Sequence, residues 1–176
     1  MRVLAGLKIL ACLFVFSLAL APADAQTPAQ ASEAKALAGE HPAAWYKRAA
    51  ALFQSGKKDD ATFVFYLGQL RYRAHLSARS RELRPDGDPA LFASLSETIG
   101  RPINEHAFGD LPALGRVVDG VLAFDRANPD RFTPPSQYPR AWSGVRNGLA
   151  QMKAQLLSQA DKIRAQRRRN GLENRT

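Results

Sequence analysis

The stretch 60-DATFVFYLGQLRYRAHLSA-78 decides the fold class of this chain. Its centre, residues 63–67, is apolar on every side, a pattern that fits either a buried strand or a buried helix. Ala61 and the charged Arg71 and Arg73 fit a long helix better than a strand. A helix that is apolar around its whole circumference belongs in the middle of a bundle, because no face of it can turn to water. The sequence therefore predicts a central helix over about 60–78.

Apolar residues at helical spacing predict four further helices. The first begins at His41-Pro42 and ends at Ser55-Gly56, and another follows the turn at 84–89, with Asp88 as its expected N-cap. The third of these covers about 111–127, and the last carries an apolar stripe: Trp142, Val145, Leu149, Met152, Leu156 and Ile163. No segment alternates apolar and polar residues as a half-buried strand would. We therefore expect an all-α, single-domain bundle of about five helices, with no strands.

Residues 1–25 have the layout of a secretory signal peptide. Arg2 and Lys8 precede an apolar run over 9–21, and the small-residue site Ala23-Asp24-Ala25 follows. The run is shorter than the ~20 residues that a membrane span needs. We therefore expect cleavage after Ala25 and no transmembrane segment in the mature chain. The protein would then be exported, to the periplasm of a Gram-negative cell or otherwise to the medium.

The rest of the chain has room for one domain. Residues 26–40 are poor in large apolar groups and are expected to form a flexible leader. Residues 41–166 are the predicted helical domain, and 167–176 are a basic C-terminal tail. Three consecutive residues of a helix point about 100° apart, so they cannot all face one core, and all three are expected to be exposed: Arg167, Arg168 and Arg169.

Charge and cysteine content limit the classes of function. Lys and Arg number 25 against 16 Asp and Glu, a formal charge of +9, and the cations concentrate towards the C-terminus. Export removes most encounters with nucleic acid, so the expected partners of this charge are anionic envelope components or an acidic protein. The alternative is a solvated helix end, whose dipole favours cations. The only cysteine, Cys12, lies in the predicted signal peptide, so no intrachain disulfide is expected after cleavage.

Within residues 42–75, the spacing of seven residues resembles a tetratricopeptide repeat: Trp45, Ala49, Leu52, Gly56, Ala61, Phe65 and Gly68. Arg48, Leu52 and Arg73 depart from the leucine, tyrosine and proline of the repeat, and no second repeat follows. The resemblance implies one helical hairpin, with Phe65 buried between its helices, and it implies protein or peptide binding without catalysis. A helical hairpin with a glycine turn that is unrelated to the repeat produces the same matches.

The sequence carries no motif that names a reaction. The three histidines, His41, His75 and His106, have no metal-ligand spacing to one another or to a carboxylate, so no metal site is expected. A glycine-rich phosphate loop, a Gly-X-Ser-X-Gly elbow and a thiol nucleophile are absent. No cofactor is expected either, and whether the protein is an enzyme stays open, with a non-enzymatic role favoured.

The connection 101–110 holds one group of candidate residues. Asn104, Glu105 and His106 could contact a partner, or Asn104 and Asp110 could simply cap the neighbouring helical turns. A third alternative is catalysis. A carboxylic acid with a raised pKa beside a second carboxylate cleaves glycosidic bonds, and Glu97 or Glu105 would supply it against peptidoglycan.

A second candidate surface lies on the central helix, where aromatic and arginine residues typical of interfaces alternate: Tyr66, Arg71, Tyr72 and Arg73. The alternative is that these residues pack in the core or extend along it to water.

The leading hypothesis is an exported, non-enzymatic protein that binds another protein or peptide in the cell envelope, as a scaffold, adaptor or immunity-type inhibitor. The other hypotheses are a glycan hydrolase and a binder of anionic envelope surfaces through Arg167, Arg168 and Arg169.

Overall fold

The computed structural model describes residues 26–176, and over that range the chain is all-α, with helices and no β-strand. The first four helices are α1 (Pro28–Ala36), α2 (Pro42–Gln54), α3 (Lys58–Ala78) and α4 (Asp88–Leu95). A π-helical segment, Ser96–Gly100, joins α4 to α5, and the others are α5 (Arg101–Ala107), α6 (Leu111–Ala127), α7 (Pro139–Ser158) and α8 (Ala160–Arg169). The predicted signal peptide, residues 1–25, lies outside the described residues.

Helix α3 is the centre of the bundle, as its pattern predicts. It packs against α1, α2, α4, α5, α6 and α7. Phe63, Val64, Phe65 and Leu67 are each at most 1% exposed, because neighbouring helices cover every face of the apolar run. Burial of side chains of this size contributes about 1.5–3 kcal/mol each, so α3 supplies much of the stability of the fold.

Helices α2 and α3 form an antiparallel hairpin that turns at Gly56, where φ is +83°. The hairpin crosses tightly at Gly68, because a Cβ there would lie 2.4 Å from Cβ of Trp45. Phe65 is buried, as expected, and its ring lies 5.2 Å from that of Tyr46 between the two helices. A small residue at 68 is therefore a packing requirement of the hairpin.

The expected flexible leader contains a helix. Thr27 and Gln30 form a capping box at the start of α1, and Ala34 is buried against the core. Glu33 pairs with Arg48 of α2. Alanine and glutamine are good helix formers, and the capping box satisfies the first amides, so a segment with few large side chains still folds onto the bundle.

The expected connection 101–110 is also largely helical. The π segment continues α4 directly into α5, and Pro102 lies in the first turn of α5. Ile103 and Ala107 of α5 are buried in the core. Asp110 caps α6, as expected, by accepting the amide of Ala113 at 2.9 Å.

The last predicted helix is interrupted at Gln159, whose backbone leaves helical geometry between α7 and α8. Among residues 26–176, no helix combines the length and the apolar character that crossing a bilayer requires.

Candidate functional site

Three of the four candidate residues on α3 are buried, so the prediction that they form a partner surface is wrong for them. Tyr66 and Arg71 are each 2% exposed and Tyr72 is 0% exposed. The central position of α3 covers these side chains on all sides. The Tyr66 hydroxyl donates to Asn104 Oδ1 at 2.9 Å, and burial raises the pKa of Tyr66 above its usual value.

Arg71 belongs to a buried ionic network. Its guanidinium lies 3.7 Å from Asp125 Oδ1 and 3.6 Å from Asp130 Oδ1, and it donates to the carbonyl of Asn128 at 2.9 Å. It also stacks over the ring of Trp45, 4.6 Å from the centroid. Burial lowers the pKa of Arg71 and raises that of Asp125, while the opposite charges work against both shifts. These contacts join α3 to the last turn of α6 and to the segment that follows it, which is a structural role.

The candidate residues on α5 lie on a different part of the surface from Arg73. Asn104 and Glu105 line a shallow depression beside Phe108, whereas Arg73 lines a groove described below. His106 Nδ1 accepts a hydrogen bond from Arg175 Nη1 at 3.0 Å. The buried Tyr66 links the two predicted groups through its bond to Asn104, but their exposed members, Arg73 and Glu105, lie in different depressions and do not form one site.

The two carboxylates suggested for glycan cleavage lie at the surface. Glu97 pairs with Arg101 one turn along the helix, and its side chain is 61% exposed. Glu105 is exposed as well. A general acid of this kind lies in an apolar pocket, whereas both of these side chains face water.

Arg167 is buried, which corrects the expectation that three tail arginines are exposed. Its guanidinium donates to Asn174 Oδ1 at 3.2 Å and to the carbonyl of Glu173 at 2.6 Å. The chain after α8 folds back over this side chain and hides it from water. Arg168 and Arg169 are exposed, so only these two of the three could meet an anionic surface.

A groove of about 620 Å³ runs between α3, α4 and α7. Its apolar lining comes from all three helices: Leu70, Leu76, Phe92, Val145, Leu149 and Met152. Gln69, Arg73 and Ser77 supply its polar groups, and no Asp or Glu lines it. We call this feature the α3–α7 groove.

One wall of the α3–α7 groove is formed by small residues of α7. Gly144 and Gly148 are exposed, and a Cβ added at either would meet no atom within 4 Å. Packing within the described chain therefore does not require glycine at these positions. Two glycines inside a helix destabilise it by about 1 kcal/mol each relative to alanine, and here they keep the groove wide and its floor accessible.

The rim of the α3–α7 groove is positively charged. The Arg73 guanidinium lies over the ring of Phe92, 5.4 Å from the centroid. Arg140 is exposed in a shallower depression that shares Ser77 and Ala141 with the groove. Neither arginine pairs with a carboxylate of residues 26–176.

Three side chains that are distant in sequence meet at the start of α4. His41 Nε2 lies 3.2 Å from Asp88 Oδ1, and His75 Nε2 lies 2.9 Å from Asp88 Oδ2. The Tyr72 hydroxyl donates to Asp88 Oδ1 at 3.1 Å. Burial raises the pKa of Asp88, but the hydrogen bonds from His75 and Tyr72, with the charge and hydrogen bond of His41, outweigh it and hold that pKa below its usual value. We call His41, His75 and Asp88 the histidine–aspartate cluster.

Sequence reasoning missed this cluster for a physical reason. Asp88 is expected to cap α4, yet the helix begins at Asp88 itself and Gly87 precedes it with no side-chain cap. The carboxylate faces the histidines instead. Its meeting with His41 and His75 depends on how α4 packs against the α2–α3 hairpin, and no local spacing in the sequence encodes that packing.

No family model matches this chain, and no curated protein or solved structure matches it either.

Proposed function

We propose that this is an exported, non-enzymatic protein that binds an acidic, amphipathic segment of another envelope protein in the α3–α7 groove. Scaffold, adaptor and immunity-type inhibitor are the roles compatible with such binding. The observation that carries the proposal is an open apolar groove that has cations on its rim, no carboxylate in its lining, and two glycines in one wall.

The shape of the groove supports a helical or extended peptide as its occupant. The α7 side of the groove extends over residues 141–152, about three helical turns. Amphipathic helices bind such grooves through apolar side chains at positions i, i+3 or i+4, and i+7. Glycine in the wall lets a second backbone approach α7 more closely than a larger residue would allow.

The charge of the groove supports an acidic occupant. Arg73 and Arg140 pair with no carboxylate of residues 26–176, and the whole chain carries a formal charge of +9. Complementary charge speeds association and suppresses partners of the same sign. A segment with Asp or Glu beside its apolar stripe would satisfy both arginines, whereas a basic segment would be repelled.

A displayed peptide library tests this proposal, with Gly148→Leu as the groove-blocking variant. Space around residue 148 is open, so Gly148→Leu is expected to fold and to fill the groove. Ala150→Leu adds the same side chain at another exposed position of α7 and is the matched control. We expect the protein and the control to enrich peptides with helical apolar spacing and flanking acids, and Gly148→Leu to lose them.

Three results would contradict the proposal. They are enrichment of basic peptides, equal capture by Gly148→Leu when circular dichroism shows it folded, and no enrichment at all. Arg73→Glu gives an independent arm, because it should favour peptides in which lysine replaces the acids.

Export has its own test. The protein recovered from the envelope fraction of its host should begin at Gln26 by N-terminal sequencing, since the proposed cleavage follows Ala25. Recovery from the cytoplasm with residues 1–25 intact would contradict this part of the proposal.

A further inference from the structure

We propose that the histidine–aspartate cluster binds a divalent transition-metal ion of the zinc class, with two imidazoles and one carboxylate as its protein ligands. The ligand atoms of His41, His75 and Asp88 all lie within 4.8 Å of one another. They come from the start of α2, the last turns of α3 and the start of α4. Such an ion would tie these three helices together.

The spacing of the donor atoms fits a small ion. Nitrogen and oxygen ligands lie about 2.0–2.2 Å from zinc, so neighbouring ligands of a tetrahedral site are ~3.3 Å apart. Both imidazole-to-carboxylate distances, 3.2 Å for His41 and 2.9 Å for His75, are close to this value. The two distances end on different oxygens of Asp88. The ion would therefore bind both carboxylate oxygens, or a single oxygen after the ligand atoms, which lie within 4.8 Å of one another, draw closer together.

The chemistry of the donors selects the class of ion. Imidazole suits zinc and neighbouring transition metals, whereas calcium and magnesium prefer oxygen ligands alone. Residues 26–176 contain no cysteine, so no thiolate competes for the ion in that part of the chain. The side chains of His41 and Asp88 are 37% and 21% exposed, which leaves one side of the cluster open to a water ligand.

The surroundings of His75 orient it for ligation. Its Nε2 donates to Asp88 Oδ2 at 2.9 Å in the structure, so ligation through Nε2 requires that this proton move to Nδ1. Nδ1 lies 3.3 Å from Thr133 Oγ1, which can accept a hydrogen bond from the protonated Nδ1. Outer partners of this kind fix the tautomer of ligating histidines. The ring of Phe132 lies 5.0 Å from the His41 ring and 5.2 Å from the His75 ring and packs both imidazoles from one side.

His41 is the weakest of the three ligands in this geometry. Its Nδ1 accepts the amide of Ala43 at 3.1 Å, so the proton of the neutral ring lies on Nε2. Ligation through Nε2 requires that this proton move and that the Ala43 hydrogen bond be lost. Loss of His75 or Asp88 should therefore weaken binding more than loss of His41.

Cobalt(II) and zinc titrations of the purified protein, prepared without a polyhistidine tag, test this inference. We expect one zinc per chain by calorimetry and the visible absorption of tetrahedral cobalt(II). His75→Ala and Asp88→Asn should each weaken zinc binding by more than tenfold, and His41→Ala by a smaller factor. His106→Ala removes the one histidine outside the cluster and is the control, which should bind like the unsubstituted protein.

Asp88→Asn keeps the shape of the side chain, so circular dichroism is expected to show it folded even if His75→Ala is not. No saturable binding of either ion to the unsubstituted protein would overturn the proposal. Zinc binding that survives in folded Asp88→Asn, or that disappears in His106→Ala, would overturn it equally. Binding of peptides in the α3–α7 groove is a separate readout, so failure of the metal site leaves the proposed function to its own experiment.

Discussion

At the scale of single residues, α3 separates side chains that the sequence presents as equivalent. Arg71 and Arg73 are two positions apart on one helix, yet Arg71 is 2% exposed in an ionic network and Arg73 lies at the surface. Composition suggests an interface for both. Which arginine points inward depends on the rotation of α3 against its neighbours, and a stretch that is apolar on every side carries no information about that rotation.

The buried network predicts a large loss of stability on removal of one charge. Arg71→Met should lower the free energy of unfolding by about 3–5 kcal/mol, because Asp130 would stay buried without its cation and Asp125 would keep only its pair with Arg146. Arg73→Met is the matched control and should change it by less than about 0.5 kcal/mol, since this side chain is exposed. Urea denaturation measures both, and a similar loss in the two variants would contradict the role of Arg71.

His106 predicts a dependence of stability on pH. Burial, followed by the charge of Arg175, lowers the pKa of His106 below its usual 6.5, while Asp59 partly offsets both. The folded state therefore binds the proton less readily than the unfolded state. Stability from this group is present above pH 6.5 and is lost as the pH falls through the lowered pKa.

Replacing His106 with glutamine should make the unfolding free energy fall less steeply between pH 7 and pH 5. The comparison is made by denaturation of both proteins at each pH, so the other two histidines contribute equally to each curve. An identical slope in the two proteins would show that the environment of His106 does not disfavour its charged form.

At the scale of elements, the helices with a strong apolar period were predictable and those with a weak one were not. The expected hairpin corresponds to α2 and α3, and the stripe over 111–127 corresponds to α6. Helix α1 has few large apolar residues, and α5 begins beside Pro102, a residue that usually marks a break. The capping box of Thr27 stabilises the start of α1, and the π segment connects α5 to α4. Of these two features, only the capping box can be recognised in the sequence.

Helix α7 gives a prediction about glycine. Gly144→Ala and Gly148→Ala should each raise the free energy of unfolding by about 0.5–1 kcal/mol, because alanine favours the helix and its Cβ meets open space. Gly68→Ala in α3 is the contrasting variant. Its Cβ would lie 2.4 Å from that of Trp45, so it should lower the same quantity by about 1–3 kcal/mol.

Thermal and urea unfolding of the three variants check this prediction. Stabilisation by both α7 substitutions means that glycine there is kept for a reason other than folding, which supports an occupant in the groove. Destabilisation by either one would mean that the α7 backbone needs glycine for its own geometry, and it would remove that support.

At the scale of the whole molecule, the candidate sites depend on contacts between distant segments. The all-α class follows from periodicity, which is local information. The α3–α7 groove and the histidine–aspartate cluster each combine residues from three helices, so their existence follows only from how the helices pack. Of the predicted partner-binding residues on α3, only Arg73 lines the groove, because the other three are buried in the core.

The C-terminal segment closes the molecule on one side. The amide of Arg175 donates to the carbonyl of Gly109 at 2.7 Å, and its guanidinium donates to the carbonyl of His106 at 2.7 Å. With the contacts that bury Arg167, these bonds fasten the end of the chain to the turn between α5 and α6. Residues 167–176, which the sequence predicts to be a basic tail, are therefore part of the folded structure.

Truncation after Gln166 should therefore lower the free energy of unfolding by about 1–3 kcal/mol, because each lost hydrogen bond contributes on the order of 1 kcal/mol. The double variant Arg168→Ala with Arg169→Ala is the control for charge. Both side chains are exposed, so the control should keep the stability of the full chain while losing two cations.

The same two proteins separate a structural role of this segment from recognition of anionic envelope surfaces. Binding to envelope fractions is measured at low and at high ionic strength. The distance over which charges interact, the Debye length, falls from about 10 Å at 0.1 M salt to about 3 Å at 1 M. Salt-sensitive binding that both variants lose would assign recognition to Arg168 and Arg169. The alternative outcome is that the control binds like the full chain and that only the truncated protein is less stable. The exposed cations would then contribute neither to envelope binding nor to stability, and the segment would act in folding alone.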